Sequence, residues 1–196
     1  MEPIILASGS KQRQDYFKLL DLPFSSMPTS VDEHYDKWKT PETIAEEIAL
    51  RKVNKVAELF KDQVPPWICG ADTVISLDRL VIGKAHNRDD AKEILSKLQG
   101  RDHEVITAIA LFNGKTHLID RCSVLTVVTF AALSDQEIEA YLNTGEWQGA
   151  AGAYRIQGLA GCFVKGIKGS YSGVVGLPLH ELYRMLLANG YPYSVS

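Results

Sequence analysis

Apolar runs that suit buried strands alternate along the chain with amphipathic stretches that suit helices, which is typical of an α/β protein. The first unit is a strand over residues 3–7, a turn at Ser8-Gly9-Ser10 and a short helix over residues 13–20. We expect this helix to direct four apolar side chains inward, namely Tyr16, Phe17, Leu19 and Leu20. The turn therefore lies where a strand ends and a helix begins.

Three further helical stretches each follow a residue whose side chain can accept a hydrogen bond from a free backbone amide. These capping residues are Thr40, Asn87 and Ser134. Pro41 suits the first helical position, and Glu137 completes a capping box with Ser134. We expect the three helices to end near residues 60, 100 and 142, and a closing helix to cover residues 177–189.

Two β-rich stretches, residues 103–112 and 116–130, flank Asn113-Gly114, which is a strong signal for a hairpin. Residues 162–167 predict a further strand. Because hairpin strands pair antiparallel and strands joined through helices pair parallel, we expect a mixed sheet. The chain has no internal repeat or linker-like segment, and its 196 residues suit one domain or two closely packed lobes.

The composition, 45% hydrophobic and 23% charged, is that of an ordinary globular protein. A net charge of -3 gives no basic surface for nucleic acid or acidic lipid, so a small polyanion would need a local cationic pocket. The odd number and wide spacing of Cys69, Cys122 and Cys162 predict reduced, buried thiols and a cytosolic protein. The first residues lack the cationic segment and the apolar length of a signal peptide.

Two charged residues are predicted in apolar surroundings. Asp72 lies between the apolar halves of a strand, where a carboxylate must be hydrated, paired or bound to metal. It is either part of a functional site or a structural acid that holds a loop amide or an arginine. Lys52 falls inside the apolar stripe of the helix that begins at Pro41. Its ammonium either enters a cleft or reaches the rim while its stem packs.

The segment from Ser8 to Arg13 combines two hydroxyls, a glycine and the free amides of a helix start, which suits an anion. Its basic residues oppose the helix dipole unless an anion compensates them; an exposed loop is the alternative. Gly83-Lys84 and Asp32-Glu33 are weaker signals, since such groups are usually solvated. Together the chain offers two acidic centres for a divalent ion and several cations for a polyphosphate. P-loop, dinucleotide-binding, zincin and zinc-deaminase motifs are absent from the sequence.

These residues lie in segments that resemble the Maf family of nucleoside triphosphate pyrophosphatases over nearly the whole chain. The similar segments are Leu6-Ala7-Ser8-Gly9-Ser10 with Arg13, Asp32-Glu33, Lys52, Gly70-Ala71-Asp72-Thr73, Gly83-Lys84, Gly100-Arg101-Asp102-His103-Glu104-Val105, Gly152-Ala153-Tyr154-Arg155-Ile156-Gln157-Gly158, Gly169-Ser170-Tyr171 and Val175-Gly176-Leu177-Pro178-Leu179. So many segments in one order make the resemblance highly specific.

The resemblance implies an elongated mixed β-sheet flanked by helices around a central cleft, similar to inosine triphosphate pyrophosphatases. It implies that residues 1–196 form a single Maf-like domain of two closely packed lobes, commonly in a homodimer. The implied activity is hydrolysis of a nucleoside triphosphate to the monophosphate and pyrophosphate, in the cytoplasm, with Mg²⁺ or Mn²⁺. The expected partner is the nucleotide substrate, with no nucleic acid and no membrane.

The resemblance also assigns roles to residues. Asp72 aligns with the acid taken as the proton acceptor, and we expect it to activate water and to bind metal with help from Glu33. Lys52 and Lys84 are expected to neutralise the triphosphate. Ser8, Ser10 and Arg13 are expected to hold phosphate oxygens.

Thr73 and Gln157 resemble the family members that act on dTTP and UTP. Three positions depart from that pattern: Gln12 replaces an arginine thought to help set specificity, Ala85 replaces a proline, and Ala150 replaces a lysine. Gln12 can still donate and accept hydrogen bonds, so it remains a candidate substrate-binding residue. The alternatives are a pyrophosphatase for 7-methyl-GTP or methylated UTP, and a nucleotide-binding regulator, since the family has been linked to septum formation.

Overall fold

A computed structural model of the protein describes residues 1–61 and 63–193. Within these residues seven strands form one sheet: β1 Ile4–Leu6, β2 Phe24–Ser26, β3 Trp67–Leu77, β4 Leu80–Ile82, β5 Asp102–Asn113, β6 Leu118–Phe130 and β7 Val164–Lys168. The strand order is β2-β1-β3-β5-β6-β7, with β4 paired to β3. β1 runs parallel to β2 and β3, and the other pairs are antiparallel. The predicted mixed sheet is therefore confirmed.

The helices lie on both faces of this sheet. They are α1 Lys11–Leu19, α2 Pro41–Phe60, α3 Arg88–Leu98, α4 Asp135–Thr144, α5 Tyr171–Val175 and α6 Leu179–Ala188, with a 3-10 helix at Leu159–Phe163. The caps predicted from the sequence are confirmed, because the side chains of Thr40, Asn87 and Ser134 accept hydrogen bonds from amides one turn ahead. None of the helices in the described part of the chain is long and apolar enough to cross a membrane.

The long strands β3 and β5 carry the core on both faces. On one face, α2 packs its apolar stripe against side chains that include Ile68 and Val74. On the opposite face, α1 and α6 cover one end of β3 at Cys69 and Ala71, while α3 and α4 cover the other end. Thr73 lies between these two clusters in the same alternating register. The opposite face therefore has a polar interruption between two apolar cores.

Four expectations about the elements are corrected. Helix α1 begins at Lys11, two residues before the expected start at Arg13, because Ser10 takes the N-cap position. Leu19 is 69% exposed, not inward, since it lies about 200° around the helix from the buried Phe17. The strand expected over residues 162–167 begins at Val164 and follows the 3-10 helix. That helix exposes Cys162, so only Cys69 is the fully buried thiol that was expected, and Cys122 is partly buried.

Candidate active site

A cleft of about 290 Å³ opens where α1 begins, between the two clusters on β3 and β5. It is lined by nine of the ten residues predicted to form a site: Ser8, Ser10, Gln12, Arg13, Lys52, Asp72, Thr73, Lys84 and Gln157. Glu33 lines an adjoining recess of about 70 Å³ together with Asp72, Thr73 and Lys84. The fold thus brings together every residue of the predicted set, although they span most of the chain.

The charged centre of the cleft is a chain of two lysines and two carboxylates. Lys52 Nζ lies 2.6 Å from Asp72 Oδ1 and 3.1 Å from Glu33 Oε1, and Lys84 Nζ donates to Glu33 Oε2 at 3.1 Å. Lys52 and Asp72 are both buried. The Lys52 ammonium therefore enters the site and does not reach the rim. Asp72 pairs with this lysine, not with a loop amide or an arginine.

The pairing keeps Glu33 in its ionised form. Burial raises the pKa of the Glu33 carboxyl, but the charge of Lys52 and the hydrogen bond from Lys84 outweigh burial and hold the pKa below its ordinary value. Glu33 is consequently a carboxylate at neutral pH, with oxygen atoms available to a cation.

Arg13 is a buried cation of the cleft whose hydrogen bonds go to neutral groups. Its Nε donates to the Gly176 carbonyl at 2.8 Å, and its terminal nitrogens donate to Ser8 Oγ and Thr73 Oγ1 at 3.2 Å each. Within the described chain no carboxylate lies at ion-pair distance from Arg13. Burial lowers the pKa of Arg13 and the charge of Asp72 raises it, but an arginine stays protonated at neutral pH. This uncompensated charge, beside Ser8 and Ser10, suits an anionic ligand.

Thr107 was missed by the sequence reasoning. Its hydroxyl lies 2.8 Å from that of Thr73 across the paired strands, and it donates to the Gly173 carbonyl at 2.7 Å. Through Thr73 it links Arg13 to the segment of α5 that forms one wall of the cleft. A threonine within a β-rich run gives no signal in the sequence, because its neighbours depend on strand register.

Two further wall residues, Tyr154 and Arg155, belong to the segment of residues 152–158, and the sequence alone assigns neither of them a role. Arg155 donates to the backbone carbonyls of Glu146 and Gln148, at 3.0 and 2.7 Å. These hydrogen bonds connect the segment 146–148 to the wall of the cleft. Tyr154 hydrogen-bonds with His103 Nε2 at 2.8 Å behind the wall. Both side chains therefore support the shape of the cleft.

The two carboxylates fit a divalent cation. They face the same ammonium, so both can reach an ion held beside it. Among the described residues no group of three or more His, Cys, Asp or Glu side chains could hold a metal ion. The pair of Asp72 and Glu33 suits Mg²⁺, which proteins usually hold through one or two carboxylates while substrate phosphates and waters complete the shell.

We expect the buried His103 to destabilise the protein in acid. Burial lowers its pKa to about 4, whereas an unfolded histidine titrates near pH 6.5. Because the unfolded chain takes up this proton first, stability falls by up to about 3 kcal/mol as the pH drops from 6.5 to 4. Melting temperatures should be measured across this pH range. The fall of the melting temperature with pH should be smaller in His103→Gln than in the wild type. It should equal that of the wild type in His86→Gln, an exposed control. Equal slopes in all three proteins would contradict the assignment.

The fold and the cleft define an α/β protein whose site can accept an anionic ligand beside a buried lysine–aspartate pair. A model of the family described as Maf-like protein matches residues 3–189, so the chain belongs to the Maf family. A dTTP/UTP pyrophosphatase of Symbiobacterium thermophilum is 40% identical over 192 residues, which are 98% of this chain and 96% of that protein. Proteins of the same name from Ruminiclostridium cellulolyticum and Escherichia coli O157:H7 are each 41% identical, over 95% of this chain and 95% and 92% of their own.

Proposed function

We propose that this chain is a nucleoside triphosphate pyrophosphatase that hydrolyses dTTP and UTP to the nucleoside monophosphate and pyrophosphate, as a house-cleaning enzyme of the nucleotide pool. The observation that carries the proposal is the buried pair of Lys52 and Asp72 beside the uncompensated Arg13. The relatives named dTTP/UTP pyrophosphatase support it over nearly their whole length.

The proposed reaction uses the two sides of this site for different tasks. Asp72 takes a proton from water, whose oxygen forms a bond to the α-phosphorus while the bond to the bridging oxygen of the β-phosphate breaks. The electron pair of that bond leaves with pyrophosphate. Lys52 and Lys84 neutralise the phosphate oxygens during this step. Arg13, Ser8 and Ser10 hold the triphosphate so that the α-phosphorus faces the water.

A divalent cation is part of the proposal. Asp72 and Glu33 would hold Mg²⁺ or Mn²⁺. When bound, such an ion supplies positive charge to phosphate oxygens and makes a bound water more acidic. We also propose a cytoplasmic homodimer that acts on free nucleotides, with neither nucleic acid nor membrane as a partner, and a single Maf-like domain.

The choice of a pyrimidine base rests on Thr73 and Gln157, which both line the cleft. Gln12 replaces the arginine of similar enzymes, and its Oε1 accepts a hydrogen bond from Ser10 Oγ at 3.0 Å. Ala150 is buried where similar enzymes have lysine, so one further cation is missing. We therefore expect the same base preference as in the similar enzymes, but weaker binding of the nucleotide and so a higher KM than theirs.

The test is pyrophosphate release from dTTP, UTP, CTP, GTP, 7-methyl-GTP and methylated UTP, with Mg²⁺ or Mn²⁺. We expect dTTP and UTP to give the highest kcat/KM. Turnover restricted to a modified base would move the chain to the alternative specificity. Binding of nucleotide without any turnover would overturn the enzyme proposal in favour of a nucleotide-binding regulator.

A further inference from the structure

The loop that carries Glu33 has few attachments to the rest of the fold. In the described structure, residues 28–38 make no backbone–backbone hydrogen bond to a strand or a helix. Val31 and Tyr35 pack partly against the core under α2, while the Glu33 side chain itself is 43% exposed. A half-exposed glutamate on such a loop loses conformational entropy when it bridges two lysines. A contact that fixes the backbone of the loop in advance would reduce this loss.

Arg51 holds the backbone on both sides of Glu33. One terminal nitrogen of its guanidinium donates to the Asp32 carbonyl at 2.7 Å and to the His34 carbonyl at 2.8 Å. The other terminal nitrogen lies 3.3 Å from Glu47, which also pairs with Lys39 at 2.6 Å. Lys39 lies just after this loop, so Glu47 connects the end of the loop to Arg51.

Arg51 also immediately precedes Lys52 on α2. The two neighbouring side chains act on one acid: Arg51 donates to the backbone carbonyls on either side of Glu33, and the Lys52 ammonium lies 3.1 Å from the Glu33 carboxylate. A terminal guanidinium nitrogen carries two hydrogens, so it can serve both carbonyls at once in a planar arrangement. A lysine ammonium could reach one carbonyl but lacks this fixed fork.

We propose that Arg51 is a positioning residue that holds the Glu33 loop in place, so that Glu33 reaches Lys52, Lys84 and the divalent cation. This inference rests on the proposed function. Arg51 does not line the cleft and touches the site only through the loop. Its contribution is pre-organisation: the loop is ordered before the cation and the nucleotide arrive.

The first test needs neither nucleotide nor metal. Amide hydrogen exchange of residues 29–38 should become faster in Arg51→Met than in the wild type. It should stay at the wild-type rate in Lys55→Met, which removes an exposed cation one turn further along α2. Arg51→Lys should give an intermediate rate. Unchanged exchange in Arg51→Met would overturn the proposal, whatever the enzyme does.

The second test links the loop to the site. In Arg51→Met the Mg²⁺ concentration for half-maximal turnover of dTTP should rise by about 10- to 100-fold, as for other residues that orient a metal ligand. In the Glu33→Gln background the same change should have no further effect, because both substitutions act on one ligand. A loss of equal size in both backgrounds would overturn the proposal. An inactive wild type would instead refute the proposed function, and the exchange measurement would still decide the role of Arg51.

Discussion

Asp72→Asn should lower the turnover of dTTP and UTP by about 10²- to 10⁴-fold and leave the melting temperature nearly unchanged. The amide has the size of the carboxylate, and its oxygen can still accept from Lys52, which lies 2.6 Å away. It cannot take a proton from water at neutral pH and offers a cation no negative charge. Lys52 retains Glu33 as a counter-ion, so the substitution does not leave a buried charge unpaired.

Asp78→Asn is a matched control for this substitution. Asp78 follows directly after β3, is exposed, and pairs with Arg101 at 2.8 Å on the surface. Surface pairs of this kind contribute little, so both turnover and melting should stay at wild-type values. An Asp72→Asn enzyme with substantial activity would show that another group accepts the proton, and the proposed assignment of Asp72 would be wrong.

Gly70→Ala should damage stability and activity together. A Cβ at Gly70 would lie 2.8 Å from the Ala49 carbonyl oxygen and 2.8 Å from Val53 Cγ2, and both atoms belong to α2. The helix can accept the methyl group only by moving away from β3. Overpacking of this kind costs about 1–3 kcal/mol. Because α2 carries Lys52 and β3 carries Asp72, the same movement lengthens their contact.

Gly166→Ala tests whether the effect comes from the close contact at Gly70. Nothing lies within 4 Å of a Cβ at Gly166, and its backbone needs no left-handed conformation. That variant should melt at or slightly above the wild-type temperature, since alanine restricts the unfolded chain. Turnover should be assayed well below both melting temperatures. If Gly70→Ala keeps wild-type turnover there, the distance between α2 and β3 does not control the site.

The sequence predicted the parts of this site that depend on local patterns. The position of Lys52 inside an apolar stripe follows from helix periodicity alone, and of the two alternatives left open, the cleft and the rim, the structure shows the cleft. Asp72 was conspicuous because its neighbours along the strand are apolar. That these two residues are partners was not predictable, because it depends on how α2 crosses β3.

The parts of the site that the sequence did not predict depend on contacts between segments that are distant in the chain. Thr107 acquires its role only through its register opposite Thr73, which the sequence does not specify. Arg51 was not among the predicted site residues, and only the course of a long irregular loop brings two carbonyls to it. Leu19 shows the converse error, where an apolar residue was expected inside although the helix turns it outward.

The hydroxyl pair at the base of the cleft also has a fixed direction. Thr107 has one hydrogen, which it donates to the Gly173 carbonyl, so in the contact between the two threonines Thr73 must be the donor. Thr73 then has no hydrogen left and already accepts one from Arg13. Its oxygen can offer the cleft only a lone pair. A ligand group that meets Thr73 must bring its own hydrogen, as the ring N–H of uracil or thymine does, and a fully ionised phosphate oxygen cannot.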